Sequence, residues 1–354
     1  MKRILKKLLP KSIKAKVMVV KSKYKMSRYK RLSHSKLSRS INYYLNSSFK
    51  LEQEVVATGI NKFYHTDEGV YYSLRIDIHR IEKGLVMKPI RKSFAKNYIE
   101  SCVSNFLKLY EHEVISSKDA KWFFDVLEDY FNSVDTEDSN IKNAKILFDK
   151  ADLHKLKDDT REKESPFIRK KPDGLITVTQ LEQLATYRRS ARIFEDRIVE
   201  KGIIENALRV ASLSPSACNR QPYVFKIFDK TNESLFNEIV NLPPGASAFK
   251  DSIPSIVAVV GKYNTFSNEG DRYNPITDAS LATMSFIYGL EVQGVSSCIL
   301  HWPEDIKREQ KLRKLISLEE EEKVIMFIAI GYPDQDNKVA KSTKKELSAI
   351  YTYN

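Results

Sequence analysis

A chain of 354 residues, 42% hydrophobic and 10% aromatic, has enough apolar matter for one large or two ordinary cores, and it contains no apolar run of about 18 residues from which a membrane-crossing helix would be expected. An odd, sparse count of three cysteines, Cys102, Cys218 and Cys298, argues against a disulfide framework and fits a reducing compartment. The formal charge of +13 is concentrated: residues 1–39 carry fifteen Lys and Arg with no Asp or Glu, while the rest has 44 basic against 46 acidic residues, so the globular part is not a nucleic-acid binder.

Residues 1–39 are expected to form a basic, flexible tail. Ile4, Leu5, Leu8 and Leu9 suggest a short amphipathic turn ended by Pro10. Apolar residues within a cationic field suit an anionic membrane surface, where each basic side chain adds about 1 kcal/mol. Nucleic acid competes for the same charge, without a specific signal, and a solvated tail is the plain alternative. Lys and Arg interrupt any signal-peptide core, so the expected location is cytoplasmic, with a membrane-peripheral variant if the tail binds lipid.

Residues 40–135 read as a helical region. Ile76, Ile78, Ile81 and Leu85 precede or follow Gly84, which reads as a helix stop with Lys83 in the last turn. His79 and Glu82 share a helix face and could pair, bind a metal or exchange protons; a surface pair is the favoured reading. Further helices are expected near 98–110 and 121–131, with Phe106, Leu107, Trp122, Phe123 and Leu127 in the core. Residues 136–174, charged and closed by prolines, read as a linker holding one helix. The pattern Thr179-Gln180-Leu181-Glu182 fits a capping box.

That helix leads into Arg188-Arg189-Ser190-Ala191-Arg192. Three guanidiniums and a hydroxyl so close together form a plausible phosphate cradle, because the guanidinium fork matches phosphate oxygens. A helix carrying Ile203, Ile204, Ala207, Leu208 and Ala211 follows. Then comes the turn Ser214-Pro215-Ser216-Ala217-Cys218-Asn219-Arg220-Gln221-Pro222. Its two amides, Asn219 and Gln221, suit the edge of a flat heterocycle that alternates donors and acceptors. Strands are expected at 222–228, 255–260, 295–300 and 323–331, with helices near 232–240, 276–293 and 304–316. A phosphate site and a heterocycle-edge site describe a nucleotide-like cofactor such as FMN.

Several chemistries are absent from the pattern. The eleven glycines never make Gly-x-Gly, so there is no Rossmann fingerprint. Gly289 and Gly294 have P-loop spacing, but Val295 stands where Lys is needed. No Gly-x-Ser-x-Gly or His-Glu-x-x-His occurs, and Cys298-x-x-His301 stands without the second pair that zinc requires. No metal is expected.

The Arg188–Phe194 segment and the Ser214–Pro222 turn resemble the two signatures of the nitroreductase family of FMN-dependent oxidoreductases. Asp278-Ala279-Ser280-Leu281-Ala282, Gly294–Cys298 and Ile328–Pro333 add a third match in the family's order. The resemblance covers roughly residues 177–350. It implies an α+β fold over 175–354, with a central, mainly antiparallel sheet flanked by helices, preceded here by the helical N-terminal region. It implies a homodimer with FMN at the subunit interface. Arg188, Arg189, Ser190 and Arg192 would hold phosphate and ribityl chain. Pro215 and Ser216 would shape the turn, and Asn219 and Gln221 would bond ribityl and ring edge. Ser297 and Gly331 fall in the remaining cofactor-binding matches. Lys344, in Ser342-Thr343-Lys344-Lys345, stands where the family usually closes on the phosphate with Arg, so the charge is kept and the fork is lost.

The implied reaction takes hydride from NAD(P)H through FMN to an electron-poor acceptor (a nitro compound, a quinone or a conjugated system) in ping-pong order. No catalytic side chain is needed, since the cofactor carries the chemistry. The region around residues 75–84 also resembles an N-terminal segment in a nitroreductase subgroup associated with polysaccharide gene clusters. The alternative it raises is a non-catalytic flavin-binding or scaffold protein at a membrane-associated polysaccharide assembly system.

Overall fold

The computed structural model describes residues 10–157, 162–334 and 336–353. The chain divides into two compact units, residues 1–54 with 304–306 and residues 55–303 with 307–354. In the smaller unit, α1 (Lys11–His34) is followed by α2 (Lys36–Leu45). Ser35 caps α2 by accepting from the Ser38 N–H at 3.2 Å, and Arg39 reaches back to the carbonyls of Leu32 and Ser33 at 3.0 and 3.1 Å. The flexible tail expected over residues 1–39 is therefore helical from Lys11 onward. Between Pro10 and Ser35 the chain has neither Gly nor Pro and is rich in Lys, Arg and Met, all good helix formers. The amphipathic turn read at Ile4–Leu9 lies outside the described residues.

The larger unit opens with a helical bundle. It comprises α3 (Ser47–His65) from residue 55 onward, α4 (Asp67–Leu85), α5 (Ile99–Glu111), α6 (Ser117–Ser133) and α7 (Ser139–Lys150). Capping is explicit in the sequence: Thr66, Ser116 and Asp138 each accept an N–H of the following first turn. Leu74, Ile78, Phe106, Phe123, Leu127 and Tyr130 fill the centre. Two expectations are corrected here. Residues 139–156 are not linker: Ile141, Ala144, Phe148, Leu153 and Leu156 are buried in the same core, because this charged helix turns one apolar stripe inward. Gly84 does not stop a helix; it lies inside the last turn of α4, where an added Cβ would meet the Phe94 ring. His79 and Glu82 do pair, at 3.1 Å, and Glu82 also accepts from the Trp122 indole at 2.8 Å.

α8 (Val178–Tyr187) begins with a capping box, but the pair is Thr177 with Gln180 rather than Thr179 with Glu182. Both pairs satisfy the spacing, and the earlier one takes the terminus: the Thr177 hydroxyl accepts from Gln180 N–H at 3.2 Å and Gln180 returns the bond at 2.8 Å. Next come α9 (Lys201–Ser212), β1 (Tyr223–Asp229), α10 (Glu233–Val240), β2 (Ser255–Lys262), α11 (Asn274–Glu291), β3 (Ser296–His301), α12 (Ile306–Ile316) and β4 (Glu322–Gly331). All four strands lie within about two residues of their expected bounds.

The sheet order is β1-β2-β4-β3, with every pairing antiparallel. Helices cover both faces. Ile256, Ala258 and Val260 point to the layer of α10 and α12, while Val257 and Val259 point to that of α9 and α11. Burial on both faces explains why β2 and β4 read as continuous apolar runs instead of alternating patterns. The fold is the expected α+β arrangement.

Contacts between bundle and sheet lie within this unit. Glu68 pairs with Lys262 and accepts from the Asn264 amide at 2.8 Å; Lys62 meets Glu321 at 2.7 Å. Gly59 sits so close to the Tyr263 carbonyl that a Cβ would collide with it.

Candidate functional site

The amide turn is strained and over-determined. Cys218 and Asn219 both have φ of 51° and Gln221 has 50°, three left-handed non-glycine residues among four. Each such residue costs about 1–2 kcal/mol and persists only where the surroundings hold it. Here the Asn219 N–H reaches the Ser216 carbonyl at 3.0 Å, the Gln221 N–H reaches the Ser216 hydroxyl at 3.1 Å, and the Ala217 N–H donates to Asp278 Oδ2 at 3.0 Å. Arg220, only 5% exposed, donates to the carbonyls of Ala217 (2.9 Å) and Thr265 (3.0 Å) and lies 3.4 Å from Asp271. Gln221 Nε2 donates to Asn219 Oδ1 at 2.9 Å, so the two amides are oriented by each other. Pro215 is exposed and Ser216 half-buried.

Two residues that hold the turn were given no role from sequence. Arg220 sits inside the motif, where a buried cation looks like one more polar loop residue. Asp278, 4% exposed in the first half of α11, is part of a quoted pattern whose physical role is this bond to Ala217. Burial raises its pKa, opposed by the Ala217 N–H and the Arg220 charge.

The arginine segment is built against a different part of the sheet. Ser190 bridges Ser297 on β3 in parallel, and the Ala191 N–H donates to the Ser297 carbonyl at 3.1 Å. Gly331, opposite Ser296 at the end of β4, gives way to the Phe194 ring and Pro254, with which a Cβ would clash. Its role is close packing beside this segment. Arg188 and Arg189 are half-buried, Arg192 is exposed, and the guanidiniums of Arg189 and Arg192 donate to the carbonyls of Arg188 and Ser190 at 3.0 and 3.3 Å. Arg188 Nε is a buried donor without a partner among the described residues. Glu291, at the C-terminal end of α11, feels the Arg188 charge and accepts from the Ser296 hydroxyl at 3.0 Å; burial raises its pKa.

The structure therefore brings together Arg188, Arg189, Ser190, Arg192, Ser297 and Gly331 at one place, and Pro215, Ser216, Asn219 and Gln221 at another. α11 measures the separation, since Asp278 binds the amide turn and Glu291 neighbours Arg188. At 1.5 Å rise per residue the two ends are on the order of 20 Å apart. Lys344 lies exposed in the irregular stretch that follows β4, joined to neither group.

The nitroreductase family model matches residues 185–332. An iodotyrosine deiodinase from Haliscomenobacter hydrossis is 23% identical over 193 residues, 48% of this chain and 86% of that protein. An Archaeoglobus fulgidus protein, provisionally named an NADH dehydrogenase/NAD(P)H nitroreductase, is 27% identical over 150 residues, 42% of this chain and 83% of its own length. Among solved structures, an FMN-dependent nitroreductase from Clostridium difficile R20291 aligns with TM-score 0.40 and 22% identity, covering 48% of this chain and 98% of that one. Residues 185–332 are thus similar to the nitroreductase family, and in this chain they follow an N-terminal helical region. Each group suits one end of FMN: an orphaned, buried Arg188 donor among three arginines suits an anion, and a rigid pair of amides suits a polar ring edge.

Proposed function

We propose that this chain transfers hydride from NAD(P)H to an electron-poor acceptor such as a nitro compound, a quinone or a conjugated system, in ping-pong order, as a homodimer whose two sites are each built from both copies. The observation that carries the dimer is the separation along α11. The arginine segment and the amide turn of one chain sit toward opposite ends of α11, so a flavin gripped at both its ends is reached more readily when a second copy supplies one of the two groups. A two-fold partner, running its α11 the opposite way, presents its amide turn to the arginine end of the first.

Bound FMN supplies two-electron transfer at its ring, which is why the site needs no side-chain acid or base. Arg188, Arg189, Ser190 and Arg192 hold the phosphate end, and Lys344 adds charge there if the C-terminal segment closes on it. Asn219 and Gln221, pre-oriented by their mutual bond, fix the ring edge without reorganising when ligand binds. The first test is an absorbance spectrum of the purified protein followed by anaerobic NADH or NADPH. The expected result is flavin bands that bleach with one nucleotide. A colourless protein that takes up no added FMN would remove the cofactor assignment.

Residues 11–45 carry eleven Lys and Arg and no acidic residue, and their exposed Val20, Tyr24, Met26, Leu37 and Tyr44 supply apolar contacts. No helix among the described residues is long and apolar enough to cross a membrane. The basic, partly apolar segment supports peripheral docking on an anionic lipid surface. Vesicles containing phosphatidylserine should pellet the full chain and not a chain lacking residues 1–39; equal pelleting would exclude the role.

A further inference from the structure

Behind the amide turn lies a buried cation that the flavin site does not itself use. Arg75 on α4 is 5% exposed. Its Nη1 pairs with Asp119 at 2.6 Å and donates to the Tyr71 hydroxyl at 2.8 Å. The guanidinium lies over the rings of Trp122 and Tyr71, 4.9 and 5.4 Å from their centres. The bundle thus neutralises and encloses the charge by itself. Arg75 nevertheless makes one bond out of the bundle: Nε donates to the main-chain carbonyl of Asn219 at 2.9 Å, across 144 positions of sequence.

We propose that Arg75 is a positioning residue for the flavin site, holding the Asn219 peptide in its left-handed conformation and through it the orientation of both amides. The inference rests on the FMN reading above and adds to it a contribution from the helical region. Asn219 has φ of 51°, and the turn around it relaxes unless its peptide is held. A charge-assisted bond to that carbonyl is of the same order as the strain it opposes. Its donor is fixed in turn, because Asp119 is itself anchored by the Ser116 hydroxyl at 3.0 Å and by Tyr71. The bundle therefore forms the rear wall of the cofactor site.

The test uses the full chain with Arg75→Lys, Arg75→Met and, as control, Arg80→Met. Lysine keeps the charge and the Asp119 partner but loses the Nε donor. Arg80 is on the same helix, yet its contacts with Asp77 (3.1 Å) and over the Tyr98 ring (4.0 Å) stay within the bundle. Two quantities are read: FMN affinity by fluorescence titration, and amide hydrogen exchange over residues 214–222 in FMN-free protein. Arg75→Lys should melt close to wild type while FMN affinity falls roughly 10-fold and exchange in the turn accelerates. Arg75→Met should lower both affinity and melting temperature. Arg80→Met should lower melting temperature alone. Wild-type affinity and unchanged turn protection in folded Arg75→Lys would overturn the proposal, as would equal affinity loss in Arg80→Met. If wild type takes up no FMN, the flavin reading falls, and the exchange comparison alone decides whether Arg75 holds the turn.

Discussion

Gln221 Nε2 donates to Asn219 Oδ1 at 2.9 Å, the two residues flanking the buried Arg220. The bond turns Asn219 Nδ2 and Gln221 Oε1 away from each other, leaving donors on Asn219 and, on Gln221, an acceptor and one further N–H. Asn219→Asp keeps the acceptor that Gln221 needs and replaces the free donor by a charged oxygen. FMN affinity should fall about 10- to 100-fold, with little change in melting temperature. Isothermal titration alongside thermal denaturation checks both.

Arg188 should recognise phosphate and not the ring. Arg188→Ala should weaken FMN by roughly 10- to 100-fold while leaving riboflavin, which lacks the phosphate, nearly unaffected. Parallel titrations of the two flavins read the ratio; an equal loss for both would place Arg188 elsewhere.

The proposed sharing of sites between two copies makes a sharp prediction for mixtures. Arg188→Ala and Asn219→Asp homodimers each carry two damaged sites. When the two are unfolded and refolded together, half the dimers are mixed, and each mixed dimer holds one site damaged twice and one intact. About a quarter of wild-type sites should return. A site contained within one chain would recover nothing.

Asp77 gives the bundle a pH dependence. Burial raises its pKa from 3.8 to about 6, only partly offset by Arg80. Between these values the unfolded chain gives up its proton while the folded one keeps it, so this group's stabilisation is complete below about pH 4 and lost as pH rises through about 6. Relative to wild type, Asp77→Asn should gain on the order of 2 kcal/mol from pH 4 to pH 7. Melting temperatures of both proteins across that range test the sign.

Gly59→Ala sets helix propensity against packing. Alanine gains about 1 kcal/mol in a helix interior, but its methyl group meets the Tyr263 main-chain carbonyl, which cannot swing aside as a side chain would. Overpacking of this kind costs more than the gain, so a net loss of about 1–2 kcal/mol is expected in denaturant unfolding.

The sequence carried the local grammar of this protein well. The apolar runs at 255–260 and 323–331 marked the two central strands, because strands buried on both faces have no polar side to interrupt them. The arginine segment and the amide turn stood out because phosphate and amide chemistry demand particular side chains at short spacing. It misled where one local pattern fits two structures. Thr177 and Thr179 both match the capping-box spacing, Gly84 ends a helix or admits a ring, and the charged stretch 139–156 is equally a linker or a core helix until its neighbours are known.

What only the tertiary structure decided is which of these pieces meet. Local spacing carries no information about Arg75 reaching Asn219, or about the length of α11 holding the arginine segment and the amide turn apart. The residue types were legible from the chain alone, because chemistry selects them one at a time. Their partners were not, because a contact across 144 positions is fixed by how the bundle and the sheet bury their apolar faces, and that is a property of the whole packed unit.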